Sequence, residues 1–336
     1  MNYISAENLS VQFGDQLLFE GLSFGLSKGD KTALIANNGT GKSTLLKIIA
    51  GKDTANSGSI VTREGIRIGL LEQDPVFNED QTISELISKE NSETLKVIHA
   101  YHQASEDQAA NYNSKTHKAF ELASHAMDHC HAWDYDRRMK LILSKFNIID
   151  LDQRISDLSG GQRKRLALSM VLLDSPDVLL LDEPTNQLDV EMIEWLEGYL
   201  SQPNITLFMV THDRYFLDRV CNHIIEMENG RIYHHDGNYL YYLEKKEDRE
   251  AVFETEIAKA GKFVKKELEW MRTQPRARTT KSKSRIDAFY DVEKLAKSGK
   301  VKQELKLNVK MTRLGGKILE LKKVHKSYGE IKILKG

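Results

Sequence analysis

Ala36-Asn37-Asn38-Gly39-Thr40-Gly41-Lys42-Ser43-Thr44 stands between the apolar run Thr32-Ala33-Leu34-Ile35 and the segment Leu45–Ala50, which ends at Gly51. The run reads as a buried strand and the segment as a helix, joined by a Gly-rich turn. Strand, turn and helix together are the context of a phosphate-binding loop. Small residues there let successive backbone N–H groups and the positive helix end face a triphosphate. In such a loop Lys42 reaches the outer phosphates and the Ser43 hydroxyl sits on a magnesium ion. Ala36 stands where the general pattern has its first glycine, and alanine disfavours positive φ.

Upstream, residues 3–35 alternate short apolar strings with turns at Gly14-Asp15 and Lys28-Gly29-Asp30, the pattern of short strands. Strand character continues at Ser59–Val61 and Ile66–Leu71. From about 82 to 160 the chain carries a helical insertion, with helical periodicity in Ile83–Ile87 and Arg138–Leu143. A helix near Gly161–Leu173, an apolar strand at Val178–Leu181, a helix at Glu191–Leu200 and a second strand at Thr206–Val210 follow. Strands alternating with helices, and apolar on both faces, predict a largely parallel sheet in an α/β domain.

Chemistry gathers at the ends of these strands. Asp182-Glu183-Pro184 closes the run Val178–Leu181, which places Asp182 to hold magnesium and Glu183 to orient or deprotonate an attacking water. Leu158-Ser159-Gly160-Gly161-Gln162 opens a helix and forms a second anion-binding concavity. Gln73, after Ile68–Leu71, supplies an amide for magnesium or the water. His212, after Val210-Thr211, can hydrogen-bond the γ-phosphate.

In this order the motifs resemble the nucleotide-binding domain of ABC ATPases, over about residues 1–235. The resemblance implies Walker A at Ala36–Thr44, the Q-loop at Gln73, the signature at Leu158–Gln162 (Ser159, Gly160, Gly161 and Gln162 its nucleotide-facing residues) and Walker B at Asp182-Glu183. It further implies the D-loop at Leu188-Asp189, the switch histidine at His212 and an adenine-stacking aromatic at Phe13. The fold implied is a RecA-like P-loop core with an antiparallel β subdomain and a helical subdomain. ATP and magnesium (Ser43, Gln73, Asp182) are the implied cofactors. Two such domains are expected to pair head to tail, with ATP between the Walker A of one and the signature of the other. Val210–Asp218 and the stretch beyond Tyr241 resemble the ABC-F group, nearest to its Uup-like type.

That stretch is charged and helical, with long segments at about 243–272 and 286–307 around the turn Gln274–Lys281, the pattern of a helical hairpin. From Lys245 to Arg313 basic residues outnumber acidic ones 20 to 11, leaving 28 against 38 elsewhere. Arg272, Arg276, Arg278, Lys281, Lys283 and Arg285 follow one another at the tip without an intervening acid, which suits nucleic-acid phosphate. The expected domains are the nucleotide-binding domain at 1–240, the linker at 241–312 and the start of a second nucleotide domain at 313–336. The last rests on a repeat: Ile318–Gly336 runs parallel to Tyr3–Gly21 without a gap. With that second domain not completed, two copies of the chain could pair instead.

The resemblance implies an ATPase that binds the ribosome, its linker directed toward ribosomal RNA and transfer RNA. DNA is the rival partner, and a nucleotide- and RNA-binding module with little turnover is the rival class. Two cysteines give no disulfide framework, no segment reaches the roughly 20 apolar residues of a membrane span, and Met1 leads directly into strand-like sequence. A cytoplasmic location and no membrane partner are therefore expected. His99, His102, His117, His125, His129 and His131 are read as a polar helix face rather than a metal site.

Overall fold

The computed structural model describes residues 1–14, 16–90, 92–130, 132–228, 231–272, 283–297, 325–328 and 331–334. The first part of the chain runs β1 (Asn2–Phe13), β2 (Gln16–Ser27), β3 (Lys31–Ala36), α1 (Lys42–Ile49), β4 (Ser57–Thr62) and β5 (Ile68–Leu71). Four helices then form the insertion: α2 (Ile83–Glu90), α3 (Ser92–Ala110), α4 (Ser114–His129) and α5 (Ala132–Lys145). The core resumes with α6 (Gly160–Leu173), β6 (Val178–Asp182), α7 (Val190–Leu200), β7 (Thr206–Val210), α8 (Arg214–Val220), β8 (His223–Glu228) and β9 (Arg231–Asp236). Last come α9 (Tyr239–Arg272), α10 (Lys283–Lys297), β10 (Lys326–Tyr328) and β11 (Ile331–Leu334).

Two sheets build the first unit. β2, β1 and β4 make an antiparallel sheet, and a second sheet has the order β5-β6-β7-β3-β8-β9. Its pairs are parallel except β8–β9. Every residue of β6 and β7 is buried, as a parallel sheet covered on both faces requires. Period-2 alternation sorts β6 between two cores. Leu179 and Leu181 pack toward the helical insertion with Ile142, Phe146 and Leu166. Val178 and Leu180 pack toward the antiparallel sheet with Ile4, Leu22, Leu45 and Phe208. Leu180→Ala should destabilise the chain by about 2–5 kcal/mol, read as a lower denaturation midpoint in urea.

Loops at the carboxyl ends of β3, β5, β6 and β7 carry the four expected motifs, the edge where open α/β sheets take ligands. Ala36 raises no conformational difficulty, because it ends β3 in register with Met227 of β8. Positive φ falls on Gly39 (79°) and Gly41 (86°) instead.

The chain divides into two compact units, 1–249 and 250–336. The 34 residues of α9 span about 50 Å, and its first turns belong to the first unit. Helix lies on both sides of the expected turn, but Gln274–Lys281 is outside the described residues, as is the stretch 298–324. The end of the expected repeat is described. Lys326↔Leu334, Ser327↔Lys332 and Tyr328↔Ile331 pair antiparallel. They match Val11↔Phe19, Gln12↔Leu17 and Phe13↔Gln16, at the offset that carries Tyr3 to Ile318 and with the same local irregularity. Among the described residues, no helix is long and apolar enough to cross a membrane.

Candidate functional site

Lys42, Ser43, Thr44, Gln73, Asp182, Glu183 and His212 line one cavity of about 580 Å³, together with Leu18, Asn38, Gly39, Gly41 and Asn186. The loop is tied together by its own lysine. Lys42 Nζ donates to the carbonyls of Ala36 (3.0 Å) and Asn37 (3.2 Å) and to Asn38 Oδ1 (3.3 Å). Thr40 Oγ1 also donates to the Asn37 carbonyl, at 2.8 Å. Burial lowers the pKa of Lys42, against the opposing charges of Glu183 and Asp182. A Cβ at Gly41 would meet Leu18 at 3.0 Å, so both its space and its φ demand glycine.

Asp182 and Glu183 are 3% and 8% exposed. Glu183 sits at φ 49°, a conformation costly for a non-glycine residue and concentrated at functional sites. It is locked from the neighbouring strand: Glu183 N–H donates to the Val210 carbonyl at 2.8 Å, and His212 N–H donates to Glu183 Oε2 at 3.3 Å. The His212 ring faces the same carboxylate, with Nε2 3.6 Å from Oε1. Ser43, Gln73 and Asp182 also line an adjoining cavity of about 200 Å³ with Lys47, Glu72 and Asp74. Hydroxyl, amide and carboxylate oxygens form a hard donor set suited to magnesium. The lysine-lined loop with two left-handed glycines suits phosphate, so the residues present fit ATP and magnesium together.

Ser159, Gly160, Gly161 and Gln162 stand apart from this cavity. Ser159 caps α6: Gln162 N–H donates to Ser159 Oγ (3.3 Å), while Ser159 N–H donates to Gln162 Oε1 (2.9 Å). Ser159→Ala should therefore cost about 1 kcal/mol of stability, measured by urea denaturation. Asp189 likewise caps α7, accepting from Met192 N–H at 2.9 Å. Between them Gln187 has φ 68°, and its side chain lies against Gly161. Phe13 is 82% exposed at the end of β1 and does not line the cavity.

Arg272 ends α9, and Lys283 and Arg285 fall in the first turn of α10; their side chains are outside the described set. Arg276, Arg278 and Lys281 lie wholly outside the described residues. In the insertion, no group of histidines, cysteines and acids could hold a metal among the described residues; His131 is outside them. His102 Nε2 instead meets Asp136 Oδ1 at 3.0 Å, and Trp133 packs edge-on against Tyr101.

Two features escape the sequence. Lys164, on α6, is buried; burial lowers its pKa against the charges of Asp182, Glu183 and Asp74. Glu72 accepts from Lys52 at 2.8 Å and meets Lys47 at 3.3 Å, tying the residue before Gln73 to the helix of the phosphate loop. The Lys52 hydrogen bond is the main reason its carboxyl lies below the usual range.

A family model described as ABC transporter matches residues 19–186, half of the chain. The chain belongs to the ABC transporter family. A second model with the same description matches residues 225–308. The uncharacterized ABC transporter ATP-binding protein YfmR of Bacillus subtilis is 42% identical over 288 residues, covering 85% of this chain and 46% of that one. The energy-dependent translational throttle protein EttA of Mycobacterium tuberculosis (H37Rv) is 35% identical over 317 residues, covering 94% of this chain and 57% of its own. EttA of Escherichia coli K12 is 34% identical over 316 residues, at 93% and 57%. The chain spans about half the length of the relatives it matches. Among solved structures, an ATP-binding subunit of an ABC transporter superposes with a TM-score of 0.52 at 21% identity, covering 70% of this chain and 90% of that one. That likeness is one of fold.

Proposed function

We propose that this chain is the first ATP-binding cassette and linker of an ABC-F ATPase, which closes on ATP and magnesium, binds the ribosome in that form and releases it after hydrolysis. One observation carries the reading: Lys42, Ser43, Gln73, Asp182, Glu183 and His212 line a single cavity, while the signature lies apart from it. A site so arranged needs Ser159–Gln162 from another cassette, and this chain's own signature then serves the opposite site.

Within the site, Lys42 and the N–H groups of Gly39–Thr44 bind the phosphates, and Phe13 stacks on the adenine from the exposed end of β1. Ser43, Asp182 and Gln73 would hold the magnesium, which when bound would neutralise charge on the phosphates. Glu183 orients the attacking water and accepts its proton. His212 holds Glu183 through its backbone N–H, and its ring, which faces the same carboxylate, would hydrogen-bond the γ-phosphate. Asp189, capping α7, sets the loop that faces the second cassette. The linker takes residues 241–312, with 313–336 the start of the second nucleotide domain.

The translational throttle relatives support translation as the setting, and the basic stretch Arg272–Arg285 supports RNA as the contact. Two measurements test the reading. Lys42→Ala should weaken ATP binding at least tenfold, the size of a lost charge-assisted contact; unchanged affinity would remove the phosphate-loop assignment. Ribosomes should pellet the chain with ATP and leave it in the supernatant without nucleotide. Equal pelleting in both conditions would sink the ribosome cycle.

A further inference from the structure

A third cavity, about 400 Å³, borders the phosphate loop, where Asn37, Asn38 and His212 line it together with Glu226, Glu228 and Lys246. Glu226 is 1% exposed, a carboxylate in the interior of β8 directly in register with Ile35 of β3. It is therefore one strand away from the residue that precedes the phosphate loop. Three side chains from the first turns of α9 converge on it. Tyr242 Oη donates to Glu226 Oε1 at 3.0 Å, Lys246 Nζ donates to the same oxygen, and Arg249 donates to Oε2. Lys246 also donates to Tyr242 Oη at 3.3 Å and meets Glu228 at 3.6 Å. The Arg249 guanidinium lies 3.8 Å over the Tyr233 ring of β9, and His235 faces Glu226 Oε2 at 3.7 Å.

Burial alone would raise the Glu226 carboxyl, yet the hydrogen bonds from Lys246 and Arg249 hold it below the usual range. Burial and the neighbouring carboxylate push the Tyr242 phenol up to about 12. These groups are spaced at i, i+4 and i+7 along α9, one face of the helix. Nothing in the ATP chemistry proposed above uses them. Separating one partner from such a cluster would leave a charge buried without compensation, so the contacts resist gradual loosening.

We infer that Glu226 is a positioning residue that couples the phosphate end of the nucleotide site to α9, clamping the helix through Tyr242, Lys246 and Arg249 to the strand beside the phosphate loop. A shift of Ala36–Asn38 on nucleotide binding then reaches α9 through β8, and engagement of the helix by a partner changes ATP affinity by the same factor. The inference rests on the ATP-binding reading.

Hydrogen exchange on the whole 336-residue chain tests it, with and without magnesium and a slowly hydrolysed ATP analogue. In the wild type, amides 242–256 of α9 should gain protection on nucleotide binding, within the ~5–150-fold range typical of coupled sites. Glu226→Gln should keep the analogue affinity and lose that gain. A merely structural anchor behaves differently: Glu226→Gln would lower α9 protection equally in both conditions and leave their ratio intact, which overturns the inference. An α9 indifferent to nucleotide in a wild type that binds the analogue overturns it too, while the ATP reading stands. A wild type that binds no analogue overturns both. Should Glu226→Gln fail to fold, Lys246→Gln and Arg249→Gln replace partly exposed members of the cluster. A wild-type ratio in both overturns the inference, and a reduced ratio in either supports it.

Discussion

Glu183→Gln is expected to slow ATP hydrolysis by about 10²–10⁴-fold while leaving ATP binding in place. The amide keeps the size of the carboxylate and one oxygen, so the acceptor for His212 N–H survives. It cannot take a proton from water. The backbone should not respond, since the bond from Glu183 N–H to the Val210 carbonyl holds the left-handed turn whatever the side chain. Phosphate release checks the rate, and equilibrium titration with a fluorescent ATP analogue checks the binding. Near-equal rates would withdraw the proton-accepting role from Glu183. The same assay tests the proposed sharing of the site between cassettes. Turnover per chain should climb with protein concentration, as head-to-tail pairing brings Ser159–Gln162 of one copy to Lys42 of another. Brisk turnover in a strictly monomeric sample would show that a single cassette suffices.

Strand ends make this site legible in the sequence. Each largely apolar run (Thr32–Ile35, Ile68–Leu71, Val178–Leu181, Thr206–Val210) stops near a polar residue, and a parallel sheet aligns those stops on one edge. Local pattern therefore suffices for Lys42, Gln73, Asp182 and His212, which one cavity brings together. It fails where the informative partner lies in another element. Glu226 reads as one acid in an apolar string, and Lys246 as one cation in a charged helix; their pairing needs β8 and α9 side by side. Lys164 fails for the same reason, since nothing in Gln162–Leu166 says which helical face meets the sheet. Element edges shift with local caps. α9 starts at Tyr239, ahead of the apolar periodicity, because Asn238 Oδ1 accepts from Tyr241 N–H and Asp218 Oδ1 from Leu240 N–H. Ala36 departs from the general motif without strain, because the register of β3 with β8 keeps it in extended backbone.

Replacing Arg276, Arg278 and Lys281 together by glutamine should weaken nucleic-acid-dependent association by on the order of 100-fold at about 0.1 M salt. The magnitude follows from counterion release: each phosphate contact contributes close to one ion, so three contacts lower log K in proportion to log salt concentration three times over. The slope of log K against log salt should therefore become shallower by about 2–3 in the variant. All three residues fall between α9 and α10 in the sequence, outside the motifs assigned to the nucleotide site. ATP affinity should accordingly be unchanged, which separates a lost contact from a damaged cassette. Ribosome pelleting across a salt series measures the effect. Competition by transfer RNA and by duplex DNA at one fixed salt concentration then distinguishes the partner, because phosphate contacts alone do not. Identical pelleting and identical slope in variant and wild type would leave the basic tip a solvated surface with no part in binding. A reduced slope with DNA as the stronger competitor would keep the tip as a phosphate reader and move it to the rival partner.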